Sequence, residues 1–105
     1  AGKFYGEQKG DVKNAILYLK KAYEVRPNEY ETIRLLGVAY AINRQNKEAI
    51  EMFTKATELE SKNADAWYNL GSAYYQIGNQ TQGQIYIQKA LEINPNIQKE
   101  RTQRN

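Results

Sequence analysis

Apolar residues along the chain recur at spacings of three and four, the pattern of amphipathic helices with one buried face. In the last third of the chain, Trp67, Leu70 and Tyr74 follow this spacing, Gly78 interrupts it, and apolar residues resume by Ile87. Glycine at the end of a helix permits the left-handed backbone that turns the chain back. The pattern therefore predicts two helices joined by a short turn.

The same pattern returns when the chain is shifted by 34 residues. Glycine, alanine and large apolar residues recur at the matched positions, which are Leu36-Gly37 with Leu70-Gly71, Tyr40 with Tyr74, Phe53 with Leu19, and Ala56 with Ala22 and Ala90. Such self-similarity is typical of arrays whose units cannot bury an apolar face alone and so stack on their neighbours. We predict one all-α domain with helical hairpins at 30–63 and 64–97. A partial hairpin at 1–29, mostly its second helix, precedes them, and 98–105 form a tail or the start of a capping helix or a further repeat.

The small residues at matched positions predict close packing within each hairpin. Gly37 and Gly71 remove a side chain where the two helices approach, and the alanines do the same from the opposite helix. The aromatic residues Trp67, Tyr40, Tyr74 and Phe53 are expected to fill the spaces between hairpins.

Two positions break the regularity near the turns. Arg44 stands where the last unit has Gly78, so a left-handed backbone would strain it, and Asn43 or Asn46 is an alternative place for the turn. Ser61 stands where the last unit has Pro95, the proline that ends the hairpin. Without a proline here, the second hairpin is expected to continue towards residue 63.

Two glycine-containing segments carry further expectations. Gly83 stands where the other units have alanine, and a glycine inside a helix costs roughly 0.5–1 kcal/mol. The final hairpin is therefore expected to fray. The segment from Gly6 to Gly10 is expected to be a turn between helices.

Residues 64–95 resemble the tetratricopeptide repeat, whose pattern is W-x2-L-G-x2-Y…A-x3-F…P. The resemblance extends over nearly the whole chain. It implies a right-handed superhelix of about three hairpins, in which the first helices line a concave groove. Such grooves commonly receive an extended peptide or a partner helix, so the resemblance implies a protein-binding scaffold.

The groove candidates implied by this resemblance are residues of the first helices that packing does not use. In the last unit they are Asp65, Tyr68, Asn69, Ser72, Tyr75 and Gln76. In the middle unit the candidates are Arg34, Val38, Ala41 and Ile42, with Glu31 and Leu35 in register, and Lys99 follows Asp65 by one period. Phe4 and Gln8 fall in step with Val38 and Ile42. For each single residue, plain solvated helix surface is the alternative interpretation.

Two features of the candidate face favour binding. Apolar side chains at Val38, Ala41, Ile42 and Tyr75 would form an exposed strip, which is how binding grooves appear. Arg34 together with Asn69 could hold a carboxylate or a backbone amide, since the guanidinium offers a planar fork of donors.

Some family members clamp the acidic C-termini of heat-shock chaperones with basic and asparagine side chains. Arg34, Asn69 and Lys99 fall in suitable positions for such a clamp. Val38 and Gln103 depart from it, because the clamp has a second asparagine and a further basic residue at those positions.

Composition narrows the possible functions. The chain has no cysteine and no histidine, so disulfides, thiolate metal sites and the usual general base near neutral pH are excluded. No glycine-rich phosphate loop and no nucleophile paired with a base are present. We predict no catalytic residue, no cofactor and no metal site.

Charge and hydropathy narrow the possible partners. The net charge is +3, and the excess lies near the two ends without a dense stripe of Lys and Arg, so nucleic acid is not an expected partner. The longest apolar stretch, 35–42, is far shorter than the ~20 residues that span a bilayer. The expected partner is another protein or a peptide segment.

Self-association is the alternative function. A partial first hairpin would leave Ile16, Leu17 and Leu19 partly uncovered, and another copy or a further repeat could cover them. The array would then stack end to end in an oligomer or in a longer chain.

Overall fold

The computed structural model of the chain describes the backbone of residues 2–103 and the side chains of residues 10–103. Within this range it has helices and no strands. The helices are α1 (Gly2–Val25), α2 (Tyr30–Ile42), α3 (Asn46–Leu59), α4 (Ala64–Gln76), α5 (Gln80–Ile93) and α6 (Ile97–Gln103). The prediction of an all-α repeat fold is confirmed.

The helices pack in chain order. The strongest contacts pair α2 with α3 and α4 with α5, and the resulting hairpins are joined by α1 against α2 and by α3 against α4. One continuous apolar cluster runs through them, with Ile33, Leu36 and Leu70 almost completely buried. Each hairpin therefore shares its apolar face with its neighbour, as expected of a stacked array.

The first segment differs from the prediction. Residues 2–25 form one uninterrupted helix, so the turn expected from Gly6 to Gly10 is wrong. An added Cβ at Gly10 would meet nothing within 4 Å, and one glycine costs a helix too little to end it. The expected register of Phe4 and Gln8 concerns side chains that lie outside the described residues.

The turn within the middle hairpin falls on Arg44. This residue has a φ of 63°, close to the 84° of Gly78 in the last hairpin. The backbone N–H of Gln45 donates to the carbonyl of Tyr40 at 2.8 Å, a bond that closes the helix end over residue 44. The alternative turn at Asn43 or Asn46 is therefore wrong, and Arg44 itself carries the strain.

The helix is interrupted between the two hairpins. The helix α3 ends at Leu59 and α4 begins at Ala64, so the expectation of a continuous run past Ser61 is wrong. Asn63 provides the start signal of the next helix, because its side chain caps α4 by accepting from the N–H of Asp65 at 3.0 Å. The indole N–H of Trp67 donates to the carbonyl of Ser61 at 2.8 Å and holds the connection down.

Glycines sit where helices of one hairpin touch. A Cβ on Gly37 would lie 2.6 Å from the Phe53 ring, and one on Gly71 would lie 2.8 Å from the carbonyl oxygen of Gly83. The prediction for Gly37 and Gly71 is confirmed. Gly83 makes the same kind of contact, since its own Cβ would lie 2.8 Å from the Tyr75 ring. Gly83 is therefore a packing position, and the expected fraying of the final hairpin stays a prediction.

The aromatic residues of the last hairpin pack together. Trp67 stacks on Tyr86 with ring centroids 5.9 Å apart, and Tyr74 approaches the same ring at 5.5 Å. On α1, Ile16 is buried, which contradicts its expected exposure, whereas Leu17 is 61% exposed as expected. Ile16 is covered because it belongs to the main apolar cluster.

Candidate functional site

The first helices of the two full hairpins, α2 and α4, share one surface with the helix α6 that follows them, and we call this surface the first-helix face. A depression of about 540 Å³ lies on it. Its lining comes from all three helices and the connection before α4, and consists of Tyr30, Glu31, Arg34, Val38, Asn63, Asp65, Asn69 and Arg101. Four predicted groove residues, Arg34, Val38, Asp65 and Asn69, are thus brought together.

Arg34 is held by its own helix. Its guanidinium pairs with Glu31, one turn earlier on α2, through Nε and Nη2. The Arg34 side chain remains about one third exposed and the Glu31 side chain more so. Since an arginine has five N–H donors in a planar fork, the pair leaves donors available towards the depression.

Asp65, Tyr68 and Asn69 are engaged by an arginine that the repeat alignment does not select. Arg101 on α6 donates from Nη1 to Oδ1 of Asp65 at 2.8 Å and from Nη2 to Oδ1 of Asn69 at 3.0 Å. Its guanidinium lies over the ring of Tyr68, 4.4 Å from the centroid. A carboxylate, an amide oxygen and an aromatic face therefore surround one cation.

The helix α6 is placed by its first residue. Ile97 is 1% exposed and packs with Ala64 and Ala90 in a small second cluster. Just before it, the side chain of Asn94 accepts from the N–H of Asn96 at 3.1 Å and donates to Oε1 of Glu100 at 3.1 Å. The chain is thereby turned so that the next turn of α6 faces α4.

Lys99, the predicted groove residue of this segment, is exposed, and it is Arg101 that reaches α4. Arg101 falls one period after Trp67, a packing position, and for that reason the alignment leaves it out. The sequence does contain one signal that could have identified Arg101, which is that a charged residue occupies the repeat position of Trp67. An arginine at such a packing position needs an anion or an aromatic ring as a partner.

A second depression of about 530 Å³ collects the remaining groove candidates of α4. It is lined by Tyr68, Ser72, Tyr75, Gln76, Ile87 and Gln98. Tyr68 thus belongs to this depression and also stacks on Arg101. The predicted candidates of α4 are therefore divided between two neighbouring depressions.

The predicted apolar strip is only partly exposed. Val38 and Ala41 are partly buried against the main apolar cluster, while Ile42 and Tyr75 remain 62% and 43% exposed. Ala41 and Ile42 line neither of the two depressions. Val38 and Ala41 therefore contribute mainly to packing, which leaves Ile42 and Tyr75 as the open apolar surface.

Tyr30 contributes a hydroxyl group to the first depression. Burial raises the pKa of the Tyr30 phenol, and the nearby Glu60 carboxylate raises it further, so this hydroxyl stays neutral and available for hydrogen bonding. Among the residues described by the structure, no group of three or more carboxylates is placed to hold a metal ion. Over the same residues, no helix is both long and apolar enough to traverse a bilayer.

Comparison with known proteins identifies the repeats. A tetratricopeptide repeat model matches residues 1–29 and 64–97, and a second TPR repeat model matches residues 44–78. The chain is 29% identical over 82 residues to anaphase-promoting complex subunit 3 of Schizosaccharomyces pombe, an alignment that covers 78% of this chain and 12% of that protein. The chain thus spans a small part of this curated relative.

Solved structures agree in fold. YrrB, described as a TPR protein with an unusual peptide-binding site, superposes with a TM-score of 0.77 at 32% identity, covering 80% of this chain and 43% of its own. MamA superposes with a TM-score of 0.77 at 34% identity, covering 85% of this chain and 52% of its own. With its repeats matched in sequence and in fold, the chain belongs to the tetratricopeptide repeat family.

Proposed function

We propose that the first-helix face of this chain binds an extended peptide segment of a partner protein. At the level of the family, the chain is a protein-interaction scaffold. The observation that carries the finer proposal is the depression between α2 and α4, to which three helices contribute polar side chains. The fold is that of a non-enzymatic repeat scaffold, and we propose no catalytic role.

The lining of this depression suits a peptide backbone. Asn63 and Asn69 carry amides that can both donate and accept, and an extended peptide presents both kinds of group at regular intervals. Two ion pairs, Glu31–Arg34 and Asp65–Arg101, place positively and negatively charged groups along the same surface. Arg34 has unused donors for a side-chain or terminal carboxylate of the ligand.

YrrB offers independent support. It shares the fold of this chain at 32% identity and is described as having an unusual peptide-binding site, which supports peptide binding by this fold but does not select the surface. The first-helix face combines two depressions with polar side chains and the exposed ring of Tyr75.

A chaperone-type carboxylate clamp has weaker support. Of the three residues that fit such a clamp, Arg34 pairs with Glu31, Asn69 accepts from Arg101, and Lys99 is exposed. Only Arg34 and Asn69 line the same depression. We therefore propose a peptide ligand without restricting it to a chaperone C-terminus.

The proposal is tested with a displayed library of random peptides that have free carboxyl termini. Selected peptides are titrated against the unaltered chain and against the Arg34→Ala/Asn69→Ala variant. We expect about a tenfold loss of affinity or more, since each lost charge-assisted contact costs about 1.5–3 kcal/mol. Equal affinity would refute the site.

A matched control separates binding from folding. Lys47 is an exposed residue of α3, on the opposite helix of the middle hairpin, so Lys47→Ala removes a positive charge without touching the depression. This variant is expected to bind like the unaltered chain. The midpoints of thermal unfolding should agree among all three proteins.

A second candidate function is self-association through α1. Leu17, Tyr18 and Val25 are 61%, 75% and 78% exposed. Tyr18 and Val25 also line a shallow, mainly apolar depression. Exposed apolar side chains grouped on one helix favour contact with another copy.

A further inference from the structure

We propose that Asp65, Tyr68 and Asn69 form a recognition site for a guanidinium group, and that Arg101 is its displaceable occupant. In this proposal an arginine of the bound peptide replaces Arg101. The inference rests on the proposed function and specifies the chemistry of the ligand, because it makes arginine the residue that the partner presents to α4.

The three side chains match the shape and charge of a guanidinium. The carboxylate of Asp65 and the amide oxygen of Asn69 accept from two different nitrogens of Arg101, at 2.8 and 3.0 Å. The guanidinium carbon of Arg101 lies over the ring of Tyr68, 4.4 Å from its centroid. A lysine ammonium is a point charge that lacks the planar fork, so it could not use both acceptors and stack at the same time.

The site belongs to α4 alone. Tyr68 and Asn69 lie three and four residues after Asp65, which places both beside Asp65 on one face of the helix. Their helix is fixed independently of α6, since Asn63 caps its start and Leu70 is buried in the main apolar cluster. The acceptors and the ring are therefore expected to keep their arrangement when Arg101 leaves.

Two features favour displacement of Arg101 from the site. The helix α6 has seven residues, and such a short helix is marginal without tertiary contacts. Besides the buried Ile97, Arg101 is its only residue in the described range that is not exposed. The side chains of Arg101 and Asp65 are each 31% exposed, so water and salt compete with their pairing.

The position of the site connects it to peptide binding. Asp65, Asn69 and Arg101 all line the first depression, next to Arg34. A peptide in this depression therefore meets Arg101 directly. A ligand arginine in the same place would keep both hydrogen bonds and the contact with the Tyr68 ring. A lysine could not make all three contacts, and an uncharged side chain would not restore the ion pair with Asp65.

The probe for this site is N-acetyl-arginine N-methylamide, titrated while the backbone amide signals of α4 are followed by NMR. We expect the Arg101→Ala variant to bind it with an apparent dissociation constant about tenfold lower than the unaltered chain, as when an occupant fills a site nine-tenths of the time. The perturbed signals should centre on residues 65–69. Lys99→Ala, a change on the same helix at an exposed position, is the control and should behave like the unaltered chain.

Two further measurements test the chemistry. The citrulline analogue of the probe has the same shape without the charge and is expected to leave the α4 signals unchanged. Asp65→Asn introduced into the Arg101→Ala variant should abolish binding of the arginine probe. Any loss of α6 in Arg101→Ala would only open the site further, so the comparison remains valid.

The proposal is overturned if the unaltered chain and Arg101→Ala bind the probe equally, or if citrulline binds as well as arginine. Its failure is distinguishable from failure of the proposed function. Library peptides whose binding depends on Arg34 and Asn69 would still support the groove when the arginine probe fails. Conversely, probe binding at residues 65–69 would stand even if no library peptide were selected.

Discussion

The effect of a glycine in this chain depends on the space around its Cα. Gly71 and Gly83 face each other across α4 and α5, and a Cβ on either would come within 3 Å of the other's carbonyl oxygen. Gly10 has nothing within 4 Å of such a Cβ. The same residue type therefore permits close packing at one place and only weakens a helix at the other.

This contrast predicts opposite effects of alanine. Gly83→Ala should lower the free energy of unfolding by about 1–3 kcal/mol, because overpacking forces α4 and α5 apart. Gly10→Ala should raise it by about 0.5–1 kcal/mol, because the alanine favours the helix without a clash. Urea denaturation measures both. A stabilising Gly83→Ala would contradict the close approach of the two helices.

Tyrosine burial predicts a loss of stability in alkali. Burial raises the pKa of Tyr40, and the carboxylates of Glu48 and Glu51 raise it further. Because the pKa of Tyr40 is higher in the folded chain, the unfolded chain loses this proton first as the pH rises. The contribution of Tyr40 to the free energy of unfolding is therefore complete below about pH 10 and is lost as the pH rises through the folded pKa.

Thermal unfolding followed from about pH 8 to about pH 12 measures this effect. The Tyr40→Phe variant has no ionisable group at this position. Its melting temperature is therefore expected to fall less than that of the unaltered chain over the alkaline part of the range. An identical decline in both proteins would show that Tyr40 does not contribute.

At the scale of elements, the two hairpin turns share one backbone geometry. Arg44 and Gly78 both have positive φ, at 63° and 84°, and both are followed by a residue whose N–H closes the preceding helix. A residue with a Cβ costs roughly 1–2 kcal/mol in this conformation, whereas glycine adopts it freely. The middle turn is therefore the more strained of the two.

Exchanging the turn residues should reverse this difference. Arg44→Gly is expected to stabilise the chain by up to about 1 kcal/mol and Gly78→Ala to destabilise it by about 1 kcal/mol, both measured by urea denaturation. Arg44→Ala keeps the Cβ and should change little. If Arg44→Ala stabilised as much as Arg44→Gly, loss of the guanidinium rather than relief of strain would be responsible.

The sequence predicts those structural features that recur at matched positions in each repeat. Gly37 and Gly71 mark close helix contacts because the same packing recurs in each unit. The continuity of α1 through Gly10 escapes prediction because a glycine only weakens a helix, and its neighbours decide whether the helix ends. The contact of Arg101 with Asp65 also escapes it, since the two residues are far apart in sequence and break the repeat pattern.

At the scale of the whole molecule, α1 leaves an open apolar surface that predicts self-association. Leu17 and Val25 are among the most exposed large apolar residues of the described chain. We expect the average mass measured by light scattering to rise with concentration. Leu17→Glu/Val25→Glu should abolish the rise without lowering the melting temperature, because neither side chain is buried in the single chain.

A suitable control changes exposed apolar residues elsewhere. Ile77 and Ile85 are 49% and 55% exposed and lie in the last hairpin, Ile77 just after α4 and Ile85 on α5. Ile77→Glu/Ile85→Glu should leave the concentration dependence intact if α1 alone forms the contact. A constant monomer mass for the unaltered chain would refute self-association and leave peptide binding unaffected.

The most direct test of the account is an NMR titration of the chain with a peptide selected from the displayed library. We predict that the largest changes in backbone amide signals fall on α2 and α4, around Arg34, Val38 and Asn69. Changes confined to α3 and α5, the second helices of the two hairpins, would contradict peptide binding on the first-helix face.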